Sequence, residues 1–131
     1  MLGLILSLLA CIPAPCRQSC ADFGAFFEAC ADTDGLLCDG GITADCIDDS
    51  EAYEECIDSD FDADGCEYEC ESSGEAKASC LRQTRFHYGA LETKGQRDDY
   101  ADACAEESDF TNAIAAKDCA TVCEMLGSPI Q

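Results

Sequence analysis

Thirteen cysteines in a chain of 131 residues narrow the folding options more than any other feature. Leu, Ile, Val and Phe are sparse beyond residue 10, so Ala and Cys supply much of the 47% hydrophobic content. Low aliphatic content with a formal charge of −21 would ordinarily leave a chain disordered. Cysteine at about one residue in ten points instead to a disulfide scaffold, each bridge restricting the unfolded chain by roughly 2–4 kcal/mol. The size suits one small domain. With 28 acidic against 7 basic side chains, the composition argues against nucleic acid, because phosphate binding needs surplus Lys and Arg.

The cysteines repeat. Cys16-x3-Cys20-x3-Gly24-x5-Cys30 recurs as Cys66-x3-Cys70-x3-Gly74-x5-Cys80. Farther on, Tyr53-x2-Cys56-x2-Ser59-Asp60-Phe61 is echoed by Tyr100-x3-Cys104-x3-Ser108-Asp109-Phe110, and Cys119-x3-Cys123 closes the series. Twelve cysteines thus divide into two sets of six. One set is Cys16, Cys20, Cys30, Cys38, Cys46 and Cys56; the other is Cys66, Cys70, Cys80, Cys104, Cys119 and Cys123. Duplication of one supersecondary unit is the simplest origin, with units of about 16–58 and 66–126 in a domain spanning 16–127.

The period within the units is helical. Cys16, Cys20, Phe23, Phe27 and Cys30 advance by alternate steps of four and three, which keeps them on one helix face. Pro13 and Pro15 suit the first turn of that helix. Ile42, Cys46, Tyr53 and Cys56 form a second stripe, with Thr43 as its cap, and imply a helix over about 43–58. Another helix is expected over about 66–80. Ala115, Cys119, Val122, Cys123 and Leu126 form a further stripe that stops at Gly127 and Pro129. Val occurs once and alternating strands are missing. The fold class expected is all-α, a small disulfide-rich helical domain of two hairpin-like units.

The facing spacings Cys20-x9-Cys30 and Cys46-x9-Cys56 resemble the twin C-x9-C helical hairpins of small mitochondrial intermembrane-space proteins. For the first unit the resemblance implies an inner Cys30–Cys46 and an outer Cys20–Cys56 bridge. Pairing in the second unit stays open, since 23 residues separate Cys80 from Cys104. Metal is a weaker use for these thiols. Structural zinc favours pairs two to four apart, often with His, and the chain has three C-x3-C pairs, no C-x2-C and one His.

Residues 1–10, MLGLILSLLA, are almost wholly apolar, too short to span a bilayer and suited to the core of an export signal. Leu8-Leu9-Ala10-Cys11 resembles the bacterial lipobox. That resemblance implies export, lipidation of Cys11 as the first mature residue, a short tether over 11–15 and anchoring in a membrane through acyl chains. An ordinary signal peptide cut near Ala10 or Ala14 is the alternative. An odd count of 13 needs an explanation in an exported protein, and committing Cys11 to lipid leaves twelve for six bridges.

The sharpest chemical pattern lies between the units. Asp60-x-Asp62-x-Asp64-Gly65-x5-Glu71 carries three carboxylates spaced by two, a glycine for a sharp turn and a closing glutamate, with Cys66 offering its carbonyl. This run resembles the EF-hand loop and, more loosely, dockerin and Excalibur repeats. The resemblance implies calcium held by Asp60, Asp62, Asp64, Cys66 and Glu71. Glu67 stands where an aliphatic residue is usual, and Asp32-Thr33-Asp34-Gly35 has the turn without the closing Glu.

Five of the seven basic residues (Lys77, Arg82, Arg85, Lys94 and Arg97) cluster in one stretch with Phe86, His87 and Tyr88. Arg82, Arg85, His87 and Tyr88 are the candidates for contact with a protein partner, against the alternative of a solvated connector. No nucleophile motif, phosphate loop or acid/base pair emerges, so the chain is not expected to be an enzyme. The function expected is an exported, lipid-anchored binding or structural protein of the cell envelope, stabilised by calcium. The alternative is a secreted interaction module without lipid.

Overall fold

The computed structural model describes residues 12–60 and 64–127. Its long first helix, α1 (Ala14–Cys30), starts with Pro13 as N-cap and Pro15 in the first turn, where a missing N–H breaks no helical hydrogen bond. The predicted stripe faces inward: Cys16, Cys20 and Phe27 are buried, with Phe23 and Cys30 half-buried. Phe26 and Gly24 widen the buried face. Gly24 has a packing reason, because a Cβ there would lie 2.9 Å from the Cβ of Lys77 on the crossing helix.

After α1 the chain is extended where a helix was expected. Strands β1 (Leu36–Leu37) and β2 (Ile42–Thr43) form an antiparallel hairpin, Leu36 opposite Thr43. Its turn places Cys38, Asp39 and Gly40 at positive φ and is closed by Gly41 N–H donating to the Cys38 carbonyl at 3.1 Å. The Asp32-Thr33-Asp34-Gly35 run is a structural turn, with Asp32 Oδ1 accepting from the N–H groups of Asp34 and Leu36. Strand β3 (Asp45–Cys46) then pairs antiparallel with β4 (Tyr68–Glu69). Helix α2 (Ser50–Asp60) follows, with Asp49 Oδ1 accepting from Ala52 N–H at 2.7 Å. Thr43 is therefore not a helix cap, and only the last part of the expected 43–58 helix exists.

A 3₁₀ turn (Asp64–Cys66) and β4 precede α3 (Ser73–Gly89). The helix expected from 66 thus begins at Ser73, where Ser72 Oγ accepts from Glu75 N–H. Helix α4 (Lys94–Ala105) opens on a reciprocal Thr93/Gln96 capping box, and α5 (Asp109–Ala115) on one from Ser108 and Thr111. The expected 115–126 stripe is broken, since Lys117 adopts φ 58° and Asp118 caps a new helix, α6 (Cys119–Met125). Val122 and Cys123 are buried, whereas Ala115 and Leu126 are exposed; Gly127 ends the element at φ 77°. Pro129 lies outside the described residues.

Helix α1 is the hub, touching α3, α4, α5 and α6. Phe26, Phe27, Leu37, Ala44, Cys46, Cys70, Ala76, Ala113 and Val122 make the core. Ile47, fully buried, is gripped by α3 at both backbone groups: its N–H donates to Ser79 Oγ at 2.7 Å and its carbonyl accepts from Arg82 at 3.0 Å. The molecule is a small, disulfide-rich, mainly helical domain.

Its bridges are Cys16–Cys104, Cys20–Cys80, Cys30–Cys119, Cys38–Cys123, Cys46–Cys70 and Cys56–Cys66. Each joins a cysteine of the first set of six to one of the second, and none lies within a set. The Cys30–Cys46 and Cys20–Cys56 pairing implied by the twin C-x9-C resemblance is therefore incorrect. That pairing needs a second helix antiparallel to α1 through Cys46, but Cys46 lies on a strand whose ladder brings it beside Cys70. The expected tether over 11–15 is also corrected from residue 12 onward. Ile12 is buried, its carbonyl accepts from Arg17 at 2.9 Å, and α1 includes Ala14 and Pro15.

Candidate functional site

The acidic run follows α2, which ends at Asp60 as the loop pattern requires. Asp62 and the side chains of Asp60 and Asp64 lie outside the described residues. The frame around them is fixed by two bridges. Cys56–Cys66 spans ten residues and closes a loop around positions 60, 62 and 64, and Cys46–Cys70 ties the far side of the run to β3. Cys66 is committed through sulfur to Cys56, which leaves its carbonyl as the only donor it could offer a cation. Glu71 is exposed in the link between β4 and Ser72 and not in the first turn of the exit helix. Among the described residues, no three His, Cys, Asp or Glu side chains converge on a metal position.

Neighbouring groups fix the rest of this region. Glu67 receives a hydrogen bond from Tyr53 Oη at 3.3 Å, giving a local role to the residue that departs from the loop pattern. Gly35, at φ +78°, comes so close to the Cys70 carbonyl that a Cβ would lie 2.5 Å from it. Partial desolvation, then the carboxylates of Glu75 and Asp48 acting on the hydroxyl of exposed Tyr68, push that phenol up to about 12. Tyr68 stays protonated throughout the neutral range.

The basic stretch does not form one patch. Arg82 is structural, donating to the Ile47 carbonyl while its own carbonyl accepts from Ser50 Oγ at 2.7 Å. Lys94 pairs with Asp98 at 2.8 Å, and that hydrogen bond and charge raise its pKa. Arg97 donates to the Leu91 carbonyl at 3.4 Å. Tyr88 meets the Tyr100 ring at 5.8 Å, and Phe86 sits between Tyr53 and His87. Arg85 and His87 are exposed, but a helix turns by about 100° per residue, so two positions apart they face well away from each other. Of the four candidates, the fold leaves Arg85 and His87 for solvent and uses Arg82 and Tyr88 in packing.

A feature without a sequence motif lies along α1. Three shallow depressions follow one another between α1, α3, α4 and α5. One, about 270 Å³, is bordered by Phe23, Thr84, His87 and Tyr100. The next, about 230 Å³, shares Phe23 with it and is walled by Phe110 and Ile114. A third, about 250 Å³, shares Ser19, Asp22 and Thr111 with the second and ends at Glu106 and Glu107. Phe23 in the α1 stripe and Tyr100 and Phe110 in the echo of the Tyr53-to-Phe61 run are visible in the sequence, but nothing there joins them into a groove.

Comparison with protein-family models, with curated proteins and with solved structures finds no match.

Proposed function

We propose that the chain is an exported protein, anchored by lipid on Cys11, whose stapled domain serves binding or structure at the cell envelope. One observation carries this. The twelve cysteines from Cys16 to Cys123 saturate one another in six bridges, so Cys11 has no partner left within the chain. A leftover thiol directly after an apolar decapeptide is what lipidation consumes. The bridges themselves belong to an oxidising compartment. No helix among the described residues is long and apolar enough to cross a membrane, so an acyl chain would supply the attachment.

Calcium is the second part of the proposal. The carboxylates of Asp60, Asp62, Asp64 and Glu71, with the Cys66 carbonyl, form a hard-oxygen donor set, and the two adjacent bridges hold both ends of the run. Affinity in the range of extracellular modules, about 0.1–1 mM, is expected. The role is binding and not catalysis.

Mass spectrometry of the mature N-terminus tests the anchor. A diacyl- or triacyl-glyceryl modification on Cys11 is expected; a free N-terminus beyond Cys11 overturns it in favour of a secreted module. Calorimetry on the oxidised chain tests calcium, with heat expected at millimolar metal and lost in Asp60→Asn/Asp64→Asn.

A further inference from the structure

We propose that the groove along α1, centred on Phe23, Phe110 and Ile114, docks a peptide segment of a partner protein that carries a bulky apolar side chain beside a Lys or Arg. The proposal rests on the reading that the domain serves binding, and it names the chemistry of what is bound.

Among the described residues Tyr68, Phe110, Met125 and Leu126 are the exposed large hydrophobic side chains, and of these Phe110, 39% exposed, lies beside half-buried Phe23 and Ile114. These three side chains converge on a depression of about 230 Å³, a volume suited to one aromatic or Leu-sized side chain. Cross-links have already replaced aliphatic packing elsewhere, so exposing Phe110 forfeits apolar burial that the chain can ill spare.

Charge then selects the partner. Asp22 stands on the wall shared with the third depression, which ends at Glu106 and Glu107. Among the described residues the one ion pair is Lys94–Asp98, so these three carboxylates have no cation of their own. Among the described residues, Asp22 receives the neutral Gln18 amide at 2.9 Å. An apolar slot followed by an unpaired acidic end complements an apolar residue adjoining a cation. The overall charge of −21 would repel an acidic segment and steer a basic one inward.

The test uses the full chain in its oxidised form and two fluorescein-labelled peptides. One presents Leu-Phe between lysines and the other presents Leu-Phe between glutamates. Anisotropy is expected to show the basic peptide binding at least tenfold tighter, with an advantage that shrinks as salt rises. Phe110→Ser, at an exposed site that should not perturb folding, is expected to weaken binding about tenfold. Glu106→Lys/Glu107→Lys is expected to erase the preference between the peptides, and Arg85→Glu on α3 to change nothing. Equal binding of both peptides overturns the proposal. So does binding indifferent to Phe110→Ser in a variant with an unchanged circular dichroism spectrum, since that would be unspecific attraction to a polyanion. Cys11→Ser leaves the anisotropy curve unaltered, so failure of the groove and failure of the lipid anchor are read separately.

Discussion

The same cysteine spacing occurs twice in this molecule and folds in two ways. In the first copy, Cys16, Cys20, Gly24 and Cys30 all sit on α1. In the second, Cys66 lies in a 3₁₀ turn, Cys70 follows a strand, and only Gly74 and Cys80 are helical. Their bridges differ accordingly. Cys16, Cys20 and Cys30 reach partners 60 to 89 residues away, whereas Cys66 and Cys70 close loops of 10 and 24. Helix period is thus a permission and not an instruction. Ser72 with Glu75 starts the helix late, and β3 competes for Tyr68 and Glu69.

Experiments can separate the copies by size of effect. The largest should come from Cys20→Ala/Cys80→Ala, which removes the bridge joining them. The loop-entropy estimate for its span is about 4 kcal/mol, against about 2.7 kcal/mol for Cys56→Ala/Cys66→Ala. Urea unfolding of both double variants checks the order, and equal losses would mean the long bridge constrains little. The glycines come next. Gly24→Ala forces Lys77 aside and should lose about 1–3 kcal/mol. Gly74→Ala meets nothing within 4 Å and should be neutral or gain up to about 1 kcal/mol. Similar thermal midpoints for the two would show the copies to be equivalent after all. Ser72→Ala should then cost about 1 kcal/mol, with fraying of α3 visible in amide exchange at its first turn.

The smallest effect is spectroscopic. Tyr68, beside Glu75 and Asp48, should ionise near pH 12 in a titration of phenolate absorbance, and Tyr68→Phe should delete that step. Because folding raises this pKa, the protonated phenol's contribution is present below pH 10 and is lost as pH rises through about 12. A Tyr68 step at pH 10 would place the two carboxylates away from its hydroxyl.

Helix α1 was legible because five apolar positions hold one period without interruption and two prolines mark its start. Ile42 and Cys46 fit the same period, yet a hairpin turn with three successive residues at positive φ diverts them into strands. Asp49, Ser72, Thr93, Ser108 and Asp118 each accept a hydrogen bond that starts a helix, so the starts were written locally even where the stripes misplaced them. Disulfide partners were not local information. They follow from which strand and helix lie beside which, and two sets of six can be matched in many ways. The basic stretch looked like a unit in sequence because linear clustering does not show that Arg82 is spent on Ile47. The groove beside Phe110 drew on α1 and α5, which are distant in sequence and meet only after folding.

The six bridges also define what a protease could remove. Every peptide bond between Cys16 and Cys123 is spanned by at least one disulfide, so a single nick there frees no fragment until the protein is reduced. Two nicks, one between Cys38 and Cys46 and one between Cys70 and Cys80, would excise a self-contained piece carrying Cys46–Cys70, Cys56–Cys66 and the acidic run. What would remain is two peptides joined by the other four bridges, still holding α1, α5 and the groove between them.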